Sequence, residues 1–303
     1  MSTQSQPAPS ICVVGAALID LIAYVPRLPA LGETLHGSDF QSGFGGKGAN
    51  QAVMAARLGA KVAIVTRVGR DRFGDEMLAN FAEQGIDVTY VSVDDEAPSG
   101  VAPIAVAPNG DNSIVIVTGA NDRLTAAAVE RARPAIAAAD VLACQLELPL
   151  EVTVAALRIA REASTTTILN PAPAAAELPR ELYELSDVLC PNEPEAELLL
   201  GRALGDPAQA ASELRARGAG AVVLTLGERG CLVANADGVQ AIPPVTVDAI
   251  DTTGAGDAYV GSLAVQLACG APLAEAAAFA NRVAALSVTR RGTQASFPSA
   301  SEL

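Results

Sequence analysis

Residues 139–170, ADVLACQLELPLEVTVAALRIAREASTTTILN, carry the pattern that decides the fold. ADVLACQL (139–146) is an apolar run of strand length, residues 150–163 repeat apolar positions at helical spacing, and TTILN (166–170) is again a short β-rich run. Strands that are apolar throughout are buried on both faces, as in a parallel sheet. A strand, helix, strand succession of this kind forms a right-handed crossover. The alternation extends both ways. ICVVGA (11–16), VAIVTRVG (62–69), SDVLCPN (186–192) and AVVLTLG (221–227) read as further buried strands, with helices at about 47–59, 72–85, 125–138, 193–200, 206–217, 256–269 and 273–288. The expected class is α/β: a doubly wound, mostly parallel sheet flanked by helices, one domain over 11–303 behind a disordered tail, 1–10.

Two segments break the rhythm. Residues 20–42 and 100–118 show turn signals and alternation without a helix, and in the second PNGDN joins two apolar runs as a hairpin would. Together they form a small antiparallel sheet in this reading, serving as a lid over a pocket, as a dimer surface, or as a plain surface excursion. No internal repeat, low-complexity block or linker divides the chain.

Composition removes several function classes. With 20 Lys+Arg against 34 Asp+Glu among 303 residues, the net charge of −14 disfavours nucleic acid and anionic membrane as partners. The one histidine, His36, excludes most Ser-His-Asp, Cys-His and multi-His zinc sites. Five widely spaced cysteines (Cys12, Cys144, Cys190, Cys231, Cys269) in apolar contexts read as free core thiols. No stretch has 18 uninterrupted apolar residues, and the first ten residues lack signal-peptide character, so the expected location is the cytoplasm.

GFGGKGANQAV (43–53) leads from the first irregular segment into a helix. Its glycines let backbone approach a ligand, the helix start offers free N–H groups, and Lys47 and Asn50 share one side of the turn. Gly43, Gly45 and Gly48 with Asp71 downstream also satisfy a dinucleotide fingerprint, the basis of a nicotinamide-dependent dehydrogenase alternative. That fingerprint belongs directly after the first strand, which ends 27 residues earlier. The absence of Ser or Thr after Gly46-Lys47 excludes a Walker loop.

VDAIDTTGAGDAYVGSLAVQL (247–267) is more specific. Gly254-Ala255-Gly256 ends in Asp257 and opens into an apolar helix, so N–H groups converge at a positive helix terminus beside a carboxylate. Phosphoryl transfer needs this combination: N–H groups to hold migrating negative charge, and a carboxylate to accept the proton of an attacking alcohol. Helix capping alone would explain one Asp, but not three small residues with a second acid at Asp251.

On these residues the chain resembles the ribokinase group of the PfkB carbohydrate-kinase family. GFGGKGANQ is similar to the family's N-terminal signature and DTTGAGDAYVG to its C-terminal one. QLELP (145–149), NPAPA (170–174), PNEPEAE (191–197), TLGERG (225–230) and TRRGTQAS (289–296) follow in the family's order. The resemblance implies a ribokinase-like fold and transfer of the ATP γ-phosphate to a primary hydroxyl, most readily the 5-hydroxyl of D-ribose. It implies Asp257 as general base, an anion hole of Gly254, Ala255 and Gly256, and a sugar pocket of Leu18, Asp20, Gly46, Lys47, Asn50, Glu147 and Asp257. ATP would lie against Asn192, the loop Thr225, Leu226, Gly227, Glu228, Arg229 and Gly230, then Gly256 and Asn281. Glu195 would help organise magnesium, and Asp251, Thr253, Ser287, Arg290, Gly292 and Ser296 would ligate an activating potassium ion. A homodimer through the lid is also implied.

Several of these residues have plainer readings on their own. Glu195 and Glu197 occupy a helix's first turn, where acids are common for dipole reasons. Glu147 follows a buried strand at the carboxyl end, where doubly wound sheets bind ligands. Leu18 departs from the pattern, since many bacterial ribokinases have Asn there, touching the sugar. Kinases acting on a nucleoside, fructose or another sugar are therefore alternatives, although only Tyr24, Phe40 and Phe44 lie near the lid to stack a base. A sugar-binding regulator without catalysis would leave DTTGAGD unused.

Overall fold

The computed structural model describes residues 8–108 and 111–303. Its strands are β1 (Ser10–Val14), β2 (Leu18–Tyr24), β3 (Asp39–Gly45), β4 (Lys61–Gly69), β5 (Val91–Asp94), β6 (Gly100–Val106), β7 (Asn112–Ile114), β8 (Val141–Cys144), β9 (Thr166–Leu169), β10 (Val188–Leu189), β11 (Ala221–Thr225), β12 (Cys231–Asn235) and β13 (Gly238–Ile242). The helices are α1 (Lys47–Arg57), α2 (Arg72–Glu83), α3 (Ala126–Arg131), α4 (Arg133–Ala138), α5 (Leu150–Ala163), α6 (Arg180–Glu184), α7 (Glu193–Leu200), α8 (Pro207–Ala216), α9 (Ala255–Ala268) and α10 (Leu273–Ser287).

The large sheet runs β13-β12-β11-β10-β9-β8-β1-β4-β5. It is parallel from β11 to β5, with β12 and β13 added antiparallel at one edge. The period-2 geometry of its strands divides their apolar residues between two cores. Ile11, Val13, Val141 and Ala143 face one helical layer; Cys12, Val14, Leu142 and Cys144 face the other. The chain goes from β1 to β4 on one side and returns to β8 on the other. The strand order therefore reverses between β1 and β8, and a crevice opens at their carboxyl ends.

The second sheet, β3-β2-β6-β7, stands off this domain. Its outer pairs are antiparallel, and its central pair, β2 with β6, is parallel. In PNGDN, Asn109 and Gly110 lie outside the described residues, but β6 and β7 do pair antiparallel on either side. Of the expected tail, residues 1–7 lie outside the described residues, and Ser10 already begins β1.

The structure changes other expectations for physical reasons. The helix expected at 125–138 is two, because Pro134 in a continuous helix would lack an N–H and clash with the preceding turn; it sits instead in the first turn of α4. The strand expected over 186–192 is continuous only at Val188–Leu189, with one further bridge from Asn192 to Thr225 where the chain enters α7. Cys12, Cys144, Cys190 and Cys231 are buried free thiols, whereas Cys269, just past α9, is exposed and is no core residue. Among the described residues no helix is long and apolar enough to cross a membrane.

Candidate active site

Two helix starts meet at the crevice. α1 begins directly after β3 and packs along α9, and missing side chains permit the closeness. A Cβ on Gly48 would lie 2.5 Å from the Gly15 backbone, and one on Gly261 2.7 Å from the Gln51 carbonyl oxygen. This packing brings Asn50 and Gln51 of α1 against Asp257 in the first turn of α9. Asn50 Nδ2 donates to Asp257 Oδ2 at 2.8 Å, and Gln51 Nε2 donates to Oδ1 at 3.1 Å.

Gly254 caps α9 with φ of 76°, a conformation open to glycine without strain. Beyond it the helix start leaves donors open. The Ala255 amide bonds the Thr252 carbonyl at 3.2 Å, whereas among the described residues no acceptor meets the amides of Gly256 and Asp257. Of the three residues expected to form an anion hole, Ala255 is thus engaged within its own turn. Gly254, Gly256 and Asp257 line one cavity with Lys47, Asn192, Glu195 and Thr225. A second cavity adjoins it, sharing Lys47, Asn192 and Glu195 and adding Glu147, Pro173 and Ile116.

Asp20 lies near by, buried on β2 with its carboxylate over Gly45, where a Cβ would come within 2.3 Å of it. Thr293 Oγ1 donates to Asp20 Oδ2 at 3.5 Å. Leu18, two residues back, projects from the same face of the strand, buried against Gly100. Gly46, at φ 87°, turns the chain into α1, and the Lys47 amide donates to Glu147 Oε2 at 2.7 Å. Of the expected sugar-pocket residues, Lys47, Glu147 and Asp257 line the cavities, whereas Leu18, Asp20, Gly46 and Asn50 line neither.

Acids dominate the electrostatics. Burial pushes the Glu147 carboxyl up to about 7 against the opposing pull of Lys47, and burial pushes Asp20 up to about 6. Burial also raises Glu195, partly offset by the Asn192 amide. For Lys47 burial acts downward, but Asp257, Glu147 and Glu195 outweigh it and hold the ammonium above the usual lysine range.

Of the residues expected to meet a nucleotide, Asn192 forms a reciprocal capping box with Glu195, Glu195 N donating to Asn192 Oδ1 at 2.8 Å and Asn192 N to Glu195 Oε2 at 2.9 Å. The helix-start reading of Glu195 therefore holds as well, while the carboxylate still lines the cavity. Glu197 instead accepts from the Leu204 amide, turned toward the next loop. Thr225 ends β11 beside Asn192. Leu226, Gly227, Glu228, Arg229 and Gly230 continue from it as a short turn, with Arg229 paired to Glu193. Asn281 lies on α10, donating to the Pro243 carbonyl at 2.9 Å. Neither that turn beyond Thr225 nor Asn281 lines the two cavities.

Of the residues expected around potassium, Thr253 and Gly292 meet Asp251, whereas Ser287, Arg290 and Ser296 bond elsewhere. Asp251 accepts from the amides of Thr253 and Gly292, each at 2.9 Å. These bonds overcome the effect of burial and hold the Asp251 carboxyl below the usual range. Ser287 and Ser296 donate to the Ala284 and Thr293 carbonyls, and the Arg290 guanidinium pairs with Glu302. Among the described residues no group of three or more His, Cys, Asp or Glu side chains is set to hold a metal.

Sequence reasoning missed a set of amides. Gln51, Gln145, Asn170 and Gln294 are buried and hydrogen-bonded within two steps of Asp257. The available signal was a polar amide ending or interrupting an apolar run, as in VLACQ and TTILN. Asp71, the acid of the dinucleotide alternative, caps α2 and accepts from Gly74 and Ser99, so it is spoken for structurally.

The pfkB family carbohydrate kinase profile matches residues 8–300. A ribokinase of Mus musculus is 45% identical over 302 residues, covering 97% of this chain and 94% of the mouse protein. A deoxyribokinase of Salmonella typhi is 40% identical, covering 95% of each. The structure of an Arabidopsis thaliana ribokinase complexed with ribose and ATP superimposes with a TM-score of 0.88 at 29% identity, covering 97% of each chain.

Proposed function

The chain belongs to the pfkB family of carbohydrate kinases, and from that premise we propose that it phosphorylates the 5-hydroxyl of D-ribose with ATP. It is a phosphotransferase acting on a sugar. The observation that carries the proposed mechanism is Asp257: a carboxylate facing a cavity beside the open amides of Gly256 and Asp257 at the start of α9. In this mechanism Asp257 takes the proton of the sugar hydroxyl as its oxygen bonds to the γ-phosphorus. The bond to the bridging oxygen breaks, and its electron pair leaves with ADP. The amides and Lys47 hold the charge that spreads over the migrating group, and the lid sheet excludes water. Asp20, Asn50 and Glu147 orient the sugar hydroxyls, and Asn192, Thr225 and the loop to Gly230 receive the nucleotide.

One cavity-lining carboxylate, Glu195, suits magnesium arriving with nucleotide phosphates, where the ion would neutralise phosphate charge. The Asp251 carboxylate, whose oxygens keep lone pairs beyond those given to the Thr253 and Gly292 amides, suits a hard monovalent cation, which would stiffen the turn that precedes the anion hole. Buried free thiols and a use for ATP favour the cytoplasm. Exposed Phe40 and Ile114 to Val117 on the lid favour pairing with a second copy of the chain, which light scattering would show as a doubled mass; a mass of 30.7 kDa would contradict it.

A second reading concerns the ring. Leu18 puts an apolar side chain on the face that carries Asp20, so a hydroxyl directed there gains no partner and a 2-deoxy sugar loses little. The likeness to a deoxyribokinase supports this. Release of ADP is to be measured across ribose, 2-deoxyribose, fructose and adenosine, in potassium and in choline buffers. We expect ribose and 2-deoxyribose to be used with kcat/KM values within about tenfold, fastest in potassium, and Leu18→Asn to shift the ratio toward ribose. Preference for adenosine or fructose would overturn the substrate, and equal rates in potassium and choline would overturn the cation site.

A further inference from the structure

We propose that Gln51 is the positioning residue of the general base, holding the Asp257 carboxylate in the orientation that accepts the proton of the sugar hydroxyl. The inference deepens the phosphotransfer reading and rests on it. Gln51 is 1% exposed and its amide is committed to Asn170, Gln145 and Asp257, so it acts through Asp257 and not on a substrate.

Its neighbours fix the orientation of its amide. Asn170 Nδ2 donates to the Cys190 carbonyl at 3.0 Å, which leaves Asn170 Oδ1 facing Gln51 and accepting from its Nε2 at 3.2 Å. Gln145 Nε2 donates to Gln51 Oε1 at 2.6 Å. Both N–H groups of Gln51 are therefore committed, one to Asn170 and one to Asp257 Oδ1. A flipped amide would set oxygen against two acceptors and nitrogen against a donor, so only one arrangement works.

The network accepts a penalty to hold this arrangement. Gln145 Oε1 is the one buried side-chain polar atom among the described residues without a hydrogen-bond partner. It is pressed onto Gly15, where an added Cβ would lie 2.0 Å away. A buried acceptor left unpaired calls for a reason, and orienting Gln51 supplies one.

The charged groups facing Asp257 are Lys47, Glu147, Glu195 and Asp20. Gln51 is neutral, so its effect comes through the hydrogen bond alone. With Asn50 donating to one oxygen and Gln51 to the other, the carboxylate is held from both sides. Each carboxylate oxygen keeps a further lone pair for the sugar hydroxyl.

The test is steady-state kinetics with ribose and ATP for Gln51→Leu, which keeps bulk, removes the donor and leaves little room for water. The value of kcat should fall about tenfold while the KM values for ribose and ATP stay near wild type. Gln145→Met, which removes the donor to Gln51 Oε1 and loosens the amide, should lower kcat the same way by less, and serves if Gln51→Leu does not fold. Wild-type kcat, or a loss carried by KM instead of kcat, overturns this inference alone; a wild-type chain that phosphorylates no sugar overturns the parent reading with it.

Discussion

Asp257→Asn lowers kcat by about 100- to 10,000-fold while ribose still binds, because it removes the proton acceptor and keeps the side chain's size. Asn50 and Gln51 both donate to this carboxylate. In the variant one of the two donors faces an amide NH2, so local rearrangement adds to the loss of the base. The decisive contrast is between kcat and ribose affinity, measured by calorimetry on the same preparation. A variant with near wild-type turnover removes Asp257 from the chemistry. One that loses ribose binding and turnover together makes it a structural residue of the sugar pocket.

Gly254→Ala has the second largest expected effect, on the order of 100-fold in kcat. Two causes combine. At φ 76° any side chain is strained, and the new Cβ would lie 2.7 Å from Thr293 Cγ2 and 3.2 Å from the Phe297 ring. Relief requires the turn before α9 to shift, which displaces the open amides of Gly256 and Asp257 from the transferring group. Thr293 also donates to Asp20, so the shift reaches the sugar side. Steady-state kinetics should show kcat falling further than ribose KM rises; unchanged kcat would mean these amides do not stabilise the transition state.

How much was legible beforehand follows from which interactions are local. The apolar runs at β1, β8 and β11 and the starts of α1 and α9 could be read because burial on both faces and glycine-to-helix transitions are short-range properties. Leu18 was recognisable as a departure only through resemblance to a family. The β12–β13 hairpin is no part of the expected strands although Asp237-Gly238 is a strong turn signal, because the run after it, GVQAI, is short and mixed in polarity. The split between α3 and α4 was equally available in Pro134. Gln51 was different. Its role depends on a bond across 206 residues of sequence, made where α1 packs against α9. A neutral amide announces itself by neither charge nor periodicity. The same holds for Gln145 and Asn170, whose meaning appears only when three separate segments close around one carboxylate.

The central claim is transfer of a phosphoryl group from ATP to a primary sugar hydroxyl. Phosphorus NMR of the product formed from ribose and ATP tests it directly. The account predicts a phosphate monoester whose phosphorus couples to the two protons of a single methylene group, the 5-position of the sugar. Coupling to a single ring proton, or inorganic phosphate as the only new signal besides ADP, would contradict it.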